Sequence, residues 1–488
     1  MTKCIIGIDT GGTFTDFVLL RDGEVITHKV LSTPDSPERA ILKGLDELGL
    51  ANSPIDMIHG STVATNAALE GKGVKTLYIA NVGLEDVLSI GRQQRRSLYS
   101  LAPTPRAKPV PSECCVGVAA RTAADGCDIQ VLQAKGLELL NRYLKHERPS
   151  AVAINLVFSF VNDQQELALE EWLNQHWPQL FVSRSSKVLP EYREYERGIA
   201  TWLNACLGPL MQGYLLRLEQ GVKQLHPNYT MAMMQSSGET LDIAQAAEQS
   251  VRLLLSGPAG GVAAVNYLAC ELGEERLLSF DMGGTSTDVA VYNQGIGLTT
   301  EGRIGEYPVA VPMVDMHTIG AGGGSIGHVD DGGCLRVGPG SAGAMPGPAC
   351  YGKGGELPTV TDANLYLGYL PHFTLLAGGM PVNLEGAERA LTELASQLGV
   401  SVEEAASGIL ELANENMAAA LRVMSVERGL LPSTFTLVCF GGAGGLHLCA
   451  LAEKLGMSKA IIPQFGGVLS AFGMLVAPKG GQWSRSWC

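Results

Sequence analysis

Four aspartates in two matching settings are the residues of this 488-residue chain best suited to chemistry. Asp9 and Asp16 bound the octapeptide Asp9-Thr10-Gly11-Gly12-Thr13-Phe14-Thr15-Asp16. Asp281 and Asp288 bound Asp281-Met282-Gly283-Gly284-Thr285-Ser286-Thr287-Asp288, which starts 272 residues later. Both read D-x-G-G-T-x-T-D and agree at six of eight positions. An aspartate offers hard oxygen ligands suited to Mg²⁺, directly or through water. Paired glycines let the backbone turn tightly and approach a ligand closely. Successive turn N–H groups form a concavity for an anion such as phosphate. The hydroxyls of Thr13, Thr15, Thr285 and Thr287 add donors. A metal between carboxylates and phosphates is the usual arrangement for phosphoryl transfer. One copy alone would read as a hairpin turn; the repetition favours a site.

The flanking residues indicate how the motif is held. Each octapeptide comes after a short apolar run (Cys4 to Ile8; Leu277 to Phe280) and precedes another (Phe17 to Leu20; Val289 to Tyr292). Strand, glycine turn, strand is the expected local structure. A third strand is expected after the first copy, over Glu24 to Val30. A helix opened by Ser36 and Pro37 runs to Leu48.

Further candidates lie along the chain. His59, Ser61 and Thr62 fall where a strand end gives way to a helix start, a favoured place for phosphate or carboxylate. For His59 two readings stand side by side, an anion or substrate contact and a satisfied structural histidine. Asp315 and His317 precede the richest glycine stretch, in which 14 of the 36 residues from Gly320 to Gly355 are glycine. A carboxylate and an imidazole beside flexible backbone suit a metal or a polar substrate; the bland reading is an Asp–His bond bracing a loop. Leu437 to Phe440 lead into Gly441, Gly442 and Gly444, a strand, glycine loop and helix of the kind that approaches a nucleotide. Arg92, Arg95 and Arg96 read as a local anion site or a solvated face. Ser256 to Val262 opens a helix with small residues that permit close packing.

Composition narrows the class. Apolar residues make up 46% and charged residues 17%, enough for large cores. The formal charge of −14 argues against a nucleic-acid surface. No apolar run reaches the ~18 residues of a membrane span, and the first residues lack a signal-peptide layout. Eleven cysteines without metal-ligand spacing suggest free thiols and a cytoplasmic setting. Strands alternating with helices predict an α/β chain. The long helix expected from about Glu191 to Leu225 marks the domain junction, giving units of 1–187 and 188–488, the second with a Gly-rich insertion at about 300–380.

With these segments in view, the chain resembles the hydantoinase A/5-oxoprolinase family. The likeness covers nearly the whole chain: Gly7 through Asp16, His59 through Glu70, Leu189 through Arg197, Phe280 through Val291, Asp315 through Ile326, Gly340 through Gly352, Pro358 through Leu370, Ser425 through Gly429, Phe440 through Gly445 and Gly467 through Leu475. The resemblance implies two ribonuclease-H-like lobes of the actin/heat-shock-chaperone/sugar-kinase ATPase type, with ATP between them. Each octapeptide would then be one lobe's phosphate hairpin. Asp9 and Asp281 would hold Mg²⁺, and Gly11, Gly12, Gly283 and Gly284 would cradle phosphates. Asp16 or Asp288 would orient the nucleophile, and Gly441 to Gly444 would lie near the adenosine. The implied activity is ATP-dependent opening of a cyclic amide such as a hydantoin or 5-oxoproline. The alternatives are a carboxylase subunit acting on a ketone or bicarbonate and a non-catalytic nucleotide-binding subunit. A B-type partner subunit in a hetero-oligomer is expected. Family chains usually continue past the segment matching Gly467 to Leu475, so this one reads as a short member, and proline usually stands where Gly445 does.

Overall fold

The computed structural model describes residues 4–486 except 34, 51–52, 95–98, 103–107, 377–378 and 482–483. Arg95 and Arg96 of the arginine cluster lie outside the described residues. The apolar runs around the first octapeptide form β1 (Cys4–Thr10) and β2 (Phe14–Arg21), and Asp22-Gly23 turns the chain into β3 (Glu24–Leu31). Both turn residues have positive φ, 54° and 84°, as a two-residue hairpin turn requires. After α1 (Pro37–Glu47), β4 (Ile55–Ser61) pairs parallel to β1, and α2 (Val63–Leu69) comes next.

A second layer is the parallel sheet of β5 (Thr76–Asn81), β6 (Cys115–Val118), β7 (Ala151–Ile154) and β8 (Phe181–Arg184). The long helix expected at the junction is α3 (Glu194–Leu225). The next strands, β9 (Tyr229–Met234) and β10 (Thr240–Asp242), go back to the first sheet, where β9 pairs parallel to β4. The first sheet therefore has the order β10-β9-β4-β1-β2-β3. Residues 229–242, grouped with the second unit on sequence grounds, complete the sheet of the first.

The second half repeats the plan. Helix α4 (Ser256–Leu272) leads into β11 (Arg276–Met282), β12 (Thr287–Asn293) and β13 (Met316–Ile319). After α5 (Val402–Met424) come β14 (Thr436–Phe440), β15 (Ala460–Ile461) and α6 (Leu469–Val476). The sheet order is β13-β12-β11-β14-β15, the same 3-2-1-4-5 arrangement as β3-β2-β1-β4-β9. The senses agree too: β1/β2 and β11/β12 are antiparallel, while β1/β4 and β11/β14 are parallel. This is the duplicated ribonuclease-H-like architecture.

Each sheet has its own core. Ile6, Ile8, Phe17 and Leu19 pack with Ile41 and Leu45 of α1 and Leu215 of α3. Leu278, Phe280 and Val289 pack with Ile409, Ala413 and Met417 of α5. Helices α4 and α6 pack on each other and against strands of both sheets, α6 on β1 and α4 on β11. Their crossing is backbone-close: a Cβ on Gly473 would strike the backbone of Gly260, and one on Gly7 the carbonyl of Ala471. Among the described residues no helix is long and apolar enough to cross a membrane.

Candidate active site

The two octapeptides form matching hairpins. Asp9 pairs across the ladder with Asp16, and Asp281 with Asp288. The tip of each is closed by the same bond, Gly11 N–H to the Phe14 carbonyl and Gly283 N–H to the Ser286 carbonyl, both 3.0 Å. Gly12, Thr13, Gly284 and Thr285 lie at the tips, with Gly12 and Gly284 exposed. A Cβ built on Gly12 or Gly284 meets nothing within 4 Å, so each tip is open on that side.

The carboxylates sit below the tips, as cross-strand pairs. Burial, with Asp16 beside it, pushes Asp9 up to about 7, against the opposing pull of Lys29. Burial, then Asp288, Asp9 and Asp16, push Asp281 up to about 8. Asp281 therefore feels both carboxylates of the other hairpin. Asp16 and Asp288 are raised by burial as well, opposed by Lys29 at Asp16 and by a hydroxyl bond from Thr318 at Asp288.

The surroundings leave room for little but the carboxylates. Glycine backbone closes in where a side chain would collide: a Cβ on Gly257, in the first turn of α4, would lie 3.0 Å from Asp9 Oδ1, and one on Gly441 would strike Asp281 Oδ1. Ser256 ties α4 to the end of β4, its hydroxyl donating to the Ser61 carbonyl and accepting from the Ser61 N–H, each at 3.0 Å. Asp9 Oδ1 is buried without a hydrogen-bond partner among the described residues.

Of the other threonines and glycines in these motifs, some are free to meet a ligand and some are not. Thr15 Oγ1 donates to Ser32 Oγ at 3.0 Å, since Ser32 Oγ itself donates to the Gly11 carbonyl at 2.8 Å. Thr287 Oγ1 donates to the Ala321 carbonyl at 2.6 Å. Both hydroxyls are thus committed to the protein, whereas Thr13 and Thr285 stand at the accessible tips. Gly441 (φ 82°) and Gly442 lie at the rim beside Asp281, and Gly441 N–H donates to the Gly466 carbonyl at 3.0 Å. Gly444 is buried against Cys439 and Phe280.

His59 and Ser61 belong to β4, and only Thr62 stands at a helix start. The His59 ring is fully buried, with Nδ1 donating to the Ile8 carbonyl (3.1 Å) and Nε2 accepting from Tyr214 Oη (2.6 Å). Burial holds it down at about 4. That is a bracing geometry, the structural one of the two readings. His317 pairs with Val289, whereas Asp288 pairs with Thr318. Successive residues of a strand point to opposite faces, so His317 lies on the sheet face opposite Asp281 and Asp288. Asp315 forms a two-pronged ion pair with Arg428. The glycines after it serve backbone docking. Gly323 N–H and Gly324 N–H donate to the carbonyls of Gly283 and Gly284 (3.0 and 2.7 Å), and a Cβ on Gly322 would lie 2.7 Å from Thr285 N.

Lys29 carries no motif of its own, yet it belongs to the site. Its Nζ lies 2.6 Å from Asp16 Oδ1. A signal for it exists in the sequence: the Asp22-Gly23 turn sets Arg21 opposite Glu24, and counting back along the ladder sets Asp16 opposite Lys29. Arg92 is paired with Glu196 through two bonds of 2.8 and 2.6 Å.

Comparison with known proteins agrees with this geometry. Residues 197–479 match the model of the hydantoinase/oxoprolinase family, and residues 5–177 match the hydantoinase/oxoprolinase N-terminal region. The chain is 37% identical over 486 residues to the caprolactamase subunit alpha of Pseudomonas jessenii, covering 97% of this chain and 70% of that one. It is 33% identical to the acetophenone carboxylase gamma subunit of Aromatoleum aromaticum, covering 96% and 67%. The crystal structure of the ATP-dependent caprolactamase from Pseudomonas jessenii superposes with a TM-score of 0.84 at 37% identity, over 96% of this chain and 70% of that one. With its two halves matched by these models and its fold by that structure, the chain belongs to the hydantoinase/oxoprolinase family.

Proposed function

We propose that this chain is an ATP-dependent hydrolase, or the ATP-using subunit of one, that opens a cyclic amide by phosphorylating its carbonyl oxygen. The observation that carries the reading is the pair of matching aspartate hairpins, Asp9 with Asp16 and Asp281 with Asp288, in a chain this similar to a caprolactamase subunit. The engine takes residues 1–187 as one lobe and 188–488 as the other, with strands at 229–242 returned to the first sheet.

Triphosphate oxygens suit the exposed tips, where the N–H groups of Gly12, Thr13 and Gly284 and the hydroxyls of Thr13 and Thr285 are at hand. Among the described residues no three His, Cys, Asp or Glu side chains are grouped to hold a metal by themselves. Mg²⁺ fits such a place, because it keeps several waters and binds through one or two carboxylates plus phosphates. The unpartnered Asp9 Oδ1 supports that fit, and Asp9 and Asp281 are the proposed ligands. Bound together, ATP and Mg²⁺ supply an electrophilic γ-phosphoryl group.

The chain's part is to position and to shield. The lactam carbonyl oxygen attacks phosphorus, the bond to the β-phosphate oxygen breaks, and ADP leaves. A resonance-stabilised amide is a poor electrophile; after O-phosphorylation water adds at its carbon, the C–N bond breaks with a proton passing to nitrogen, and a second water hydrolyses the resulting acyl phosphate to carboxylate and phosphate. Asp16 or Asp288 orients the attacking group. His59, Asp315 and His317 have no role here, since each is committed elsewhere or faces away.

A B-type subunit is the proposed partner for the ring-opening half. The test is ADP release over a panel of lactams, hydantoins and ketones, with and without such a protein. Stimulation by a lactam or hydantoin, abolished in Asp281→Ala, is the expected result. Stimulation by ketones with bicarbonate alone would transfer the chain to the carboxylases, and nucleotide binding with no stimulating substrate would make it a regulatory subunit.

A further inference from the structure

The two hairpins differ at one position that matters for charge. The cross-strand partner of Asp16 in β3 is Lys29, and the cross-strand partner of Asp288 in β13 is Thr318. The same place in the duplicated sheet thus holds an ammonium on one side and a hydroxyl on the other. Lys29 Nζ lies 2.6 Å from Asp16 Oδ1 and 5.3 Å from the centroid of the Phe14 ring at the hairpin tip. It also donates to the carbonyl of Gly467 at 3.4 Å, a residue of the second half. The carbonyl of the adjacent Gly466 holds Gly441 N–H at 3.0 Å, and Gly441 walls Asp281. Lys29 therefore connects the first hairpin to the rim of the second. Its side chain keeps 31% exposure, and an ammonium has three donors, more than the Gly467 carbonyl takes up.

The electrostatic need is plain. A triphosphate bound at the hairpins would add negative charge beside the four aspartates, and like charges at close range repel. Among the described residues Lys29 is the one cation acting on Asp9, Asp16 and Asp281 together. We propose that Lys29 serves as a built-in second cation of the cleft: it binds the transferred phosphoryl group from the first hairpin, so that the site takes one divalent ion rather than two. The inference rests on the ATP reading given above. Lys29 forms no covalent bond and transfers no proton; held beside Asp16, it gives a donor to a phosphate oxygen. The second hairpin, with Thr318 in the equivalent place, has no such cation.

The experiment uses the full chain, a non-hydrolysable ATP analogue and Mn²⁺ in place of Mg²⁺. Bound Mn²⁺ is counted by electron paramagnetic resonance, and analogue affinity is measured by calorimetry. The wild-type chain is expected to bind one Mn²⁺ with the analogue. In Lys29→Met, analogue affinity at low Mn²⁺ falls about tenfold, and raising Mn²⁺ restores it as a second ion binds. Lys29→Arg stays within about threefold of wild type, because the charge is kept. With substrate and partner present, Lys29→Met lowers kcat about 100-fold, more than it raises KM. Should Lys29→Met be unfolded by its melting profile, Lys29→Gln takes its place. Unchanged Mn²⁺ count and analogue affinity in a folded Lys29→Met or Lys29→Gln would overturn this inference while leaving the ATP reading intact. A wild-type chain that binds no nucleotide would overturn both.

Discussion

The first hairpin is braced by the residues next to it in the chain, and the second by a distant insertion. Ser32, just after β3, receives Thr15 and holds the Gly11 carbonyl, and its N–H donates to the Thr13 carbonyl at 3.0 Å. The second tip is instead clasped by Ala321 to Gly324 through backbone bonds to Gly283 and Gly284 and the Thr287 hydroxyl. That clasp is anchored in turn by Thr361, whose hydroxyl donates to the Gly323 carbonyl at 2.7 Å. A shared octapeptide pattern thus fixes only the turn and the carboxylate register. Charge, bracing and close packing come from non-repeated residues, and these set how alike the two halves are in function.

The largest effect should come from the part the halves share. Asp9→Asn and Asp281→Asn keep shape and remove charge. Each is expected to lower substrate-dependent ADP release about a thousandfold, because a proposed metal ligand is lost. If one variant kept near-normal turnover, the halves would not be equivalent at their carboxylates, and the paired-ligand reading would fail for that aspartate.

Next come the glycines that wall the carboxylates. Gly441 has φ 82°, and its missing Cβ would collide with Asp281 and the Met282 backbone, whereas a Cβ on Gly257 would lie 3.0 Å from Asp9 Oδ1. Ala at 441 meets backbone strain as well as collision. Gly441→Ala should weaken analogue binding about 100-fold, and Gly257→Ala about tenfold. Calorimetry on both proteins, with melting curves as the folding control, decides the order; the reverse order would place the tighter wall on the first hairpin.

A smaller, graded effect is expected from pH. Burial holds Asp9 at about 7 and Asp281 at about 8, far above the unfolded value of 3.8. Between about pH 4 and 8 the folded, metal-free protein holds protons that the unfolded chain releases. The stability these two groups contribute is therefore present below about pH 4 and is lost as pH rises through about 7 and 8. A bound cation must displace those protons, so its affinity climbs over the same range. Melting temperature in chelator should fall from about pH 5 to about pH 8, and the increment given by Mg²⁺ and the analogue should grow. A flat increment would remove the two carboxylates as ligands.

The hairpins themselves were legible, because strand, glycine turn and strand is a local pattern and the repeat was visible by eye. The long helix expected from about Glu191 to Leu225, found over Glu194–Leu225, rested on a similarly local signal. What lay hidden depends on partners distant in the chain. Met231 to Met234 reads as a strand, but its parallel partner is β4, and nothing near either segment marks that choice. His59 could not be placed as buried or exposed without Tyr214, 155 residues away. The face of His317 turns on strand parity, which a one-residue uncertainty reverses. The glycines of 320–324 read as ligand-facing flexibility, yet they let one backbone lie against another, a need that composition alone does not separate from the first.

The smallest effect separates the two kinds of bracing. Thr15 and Thr287 occupy the same place in the octapeptide, and both are fully buried. Valine at either keeps the β-branched shape and deletes the hydroxyl. At position 15 the loss is limited, because Ser32 Oγ keeps its bond to the Gly11 carbonyl and that carbonyl stays satisfied. At position 287 the Ala321 carbonyl loses its 2.6 Å donor in a buried place, and an orphaned buried acceptor costs about 1–3 kcal/mol. Thr287→Val should therefore destabilise the chain by about that amount, and Thr15→Val by less than about 1 kcal/mol, as measured by denaturant unfolding. Neither hydroxyl faces the tips, so analogue affinity should stay within about twofold in both variants. A clear loss of affinity in Thr287→Val at unchanged stability would mean that the insertion shapes the phosphate site itself, and the two hairpins would then differ in binding as well as in support.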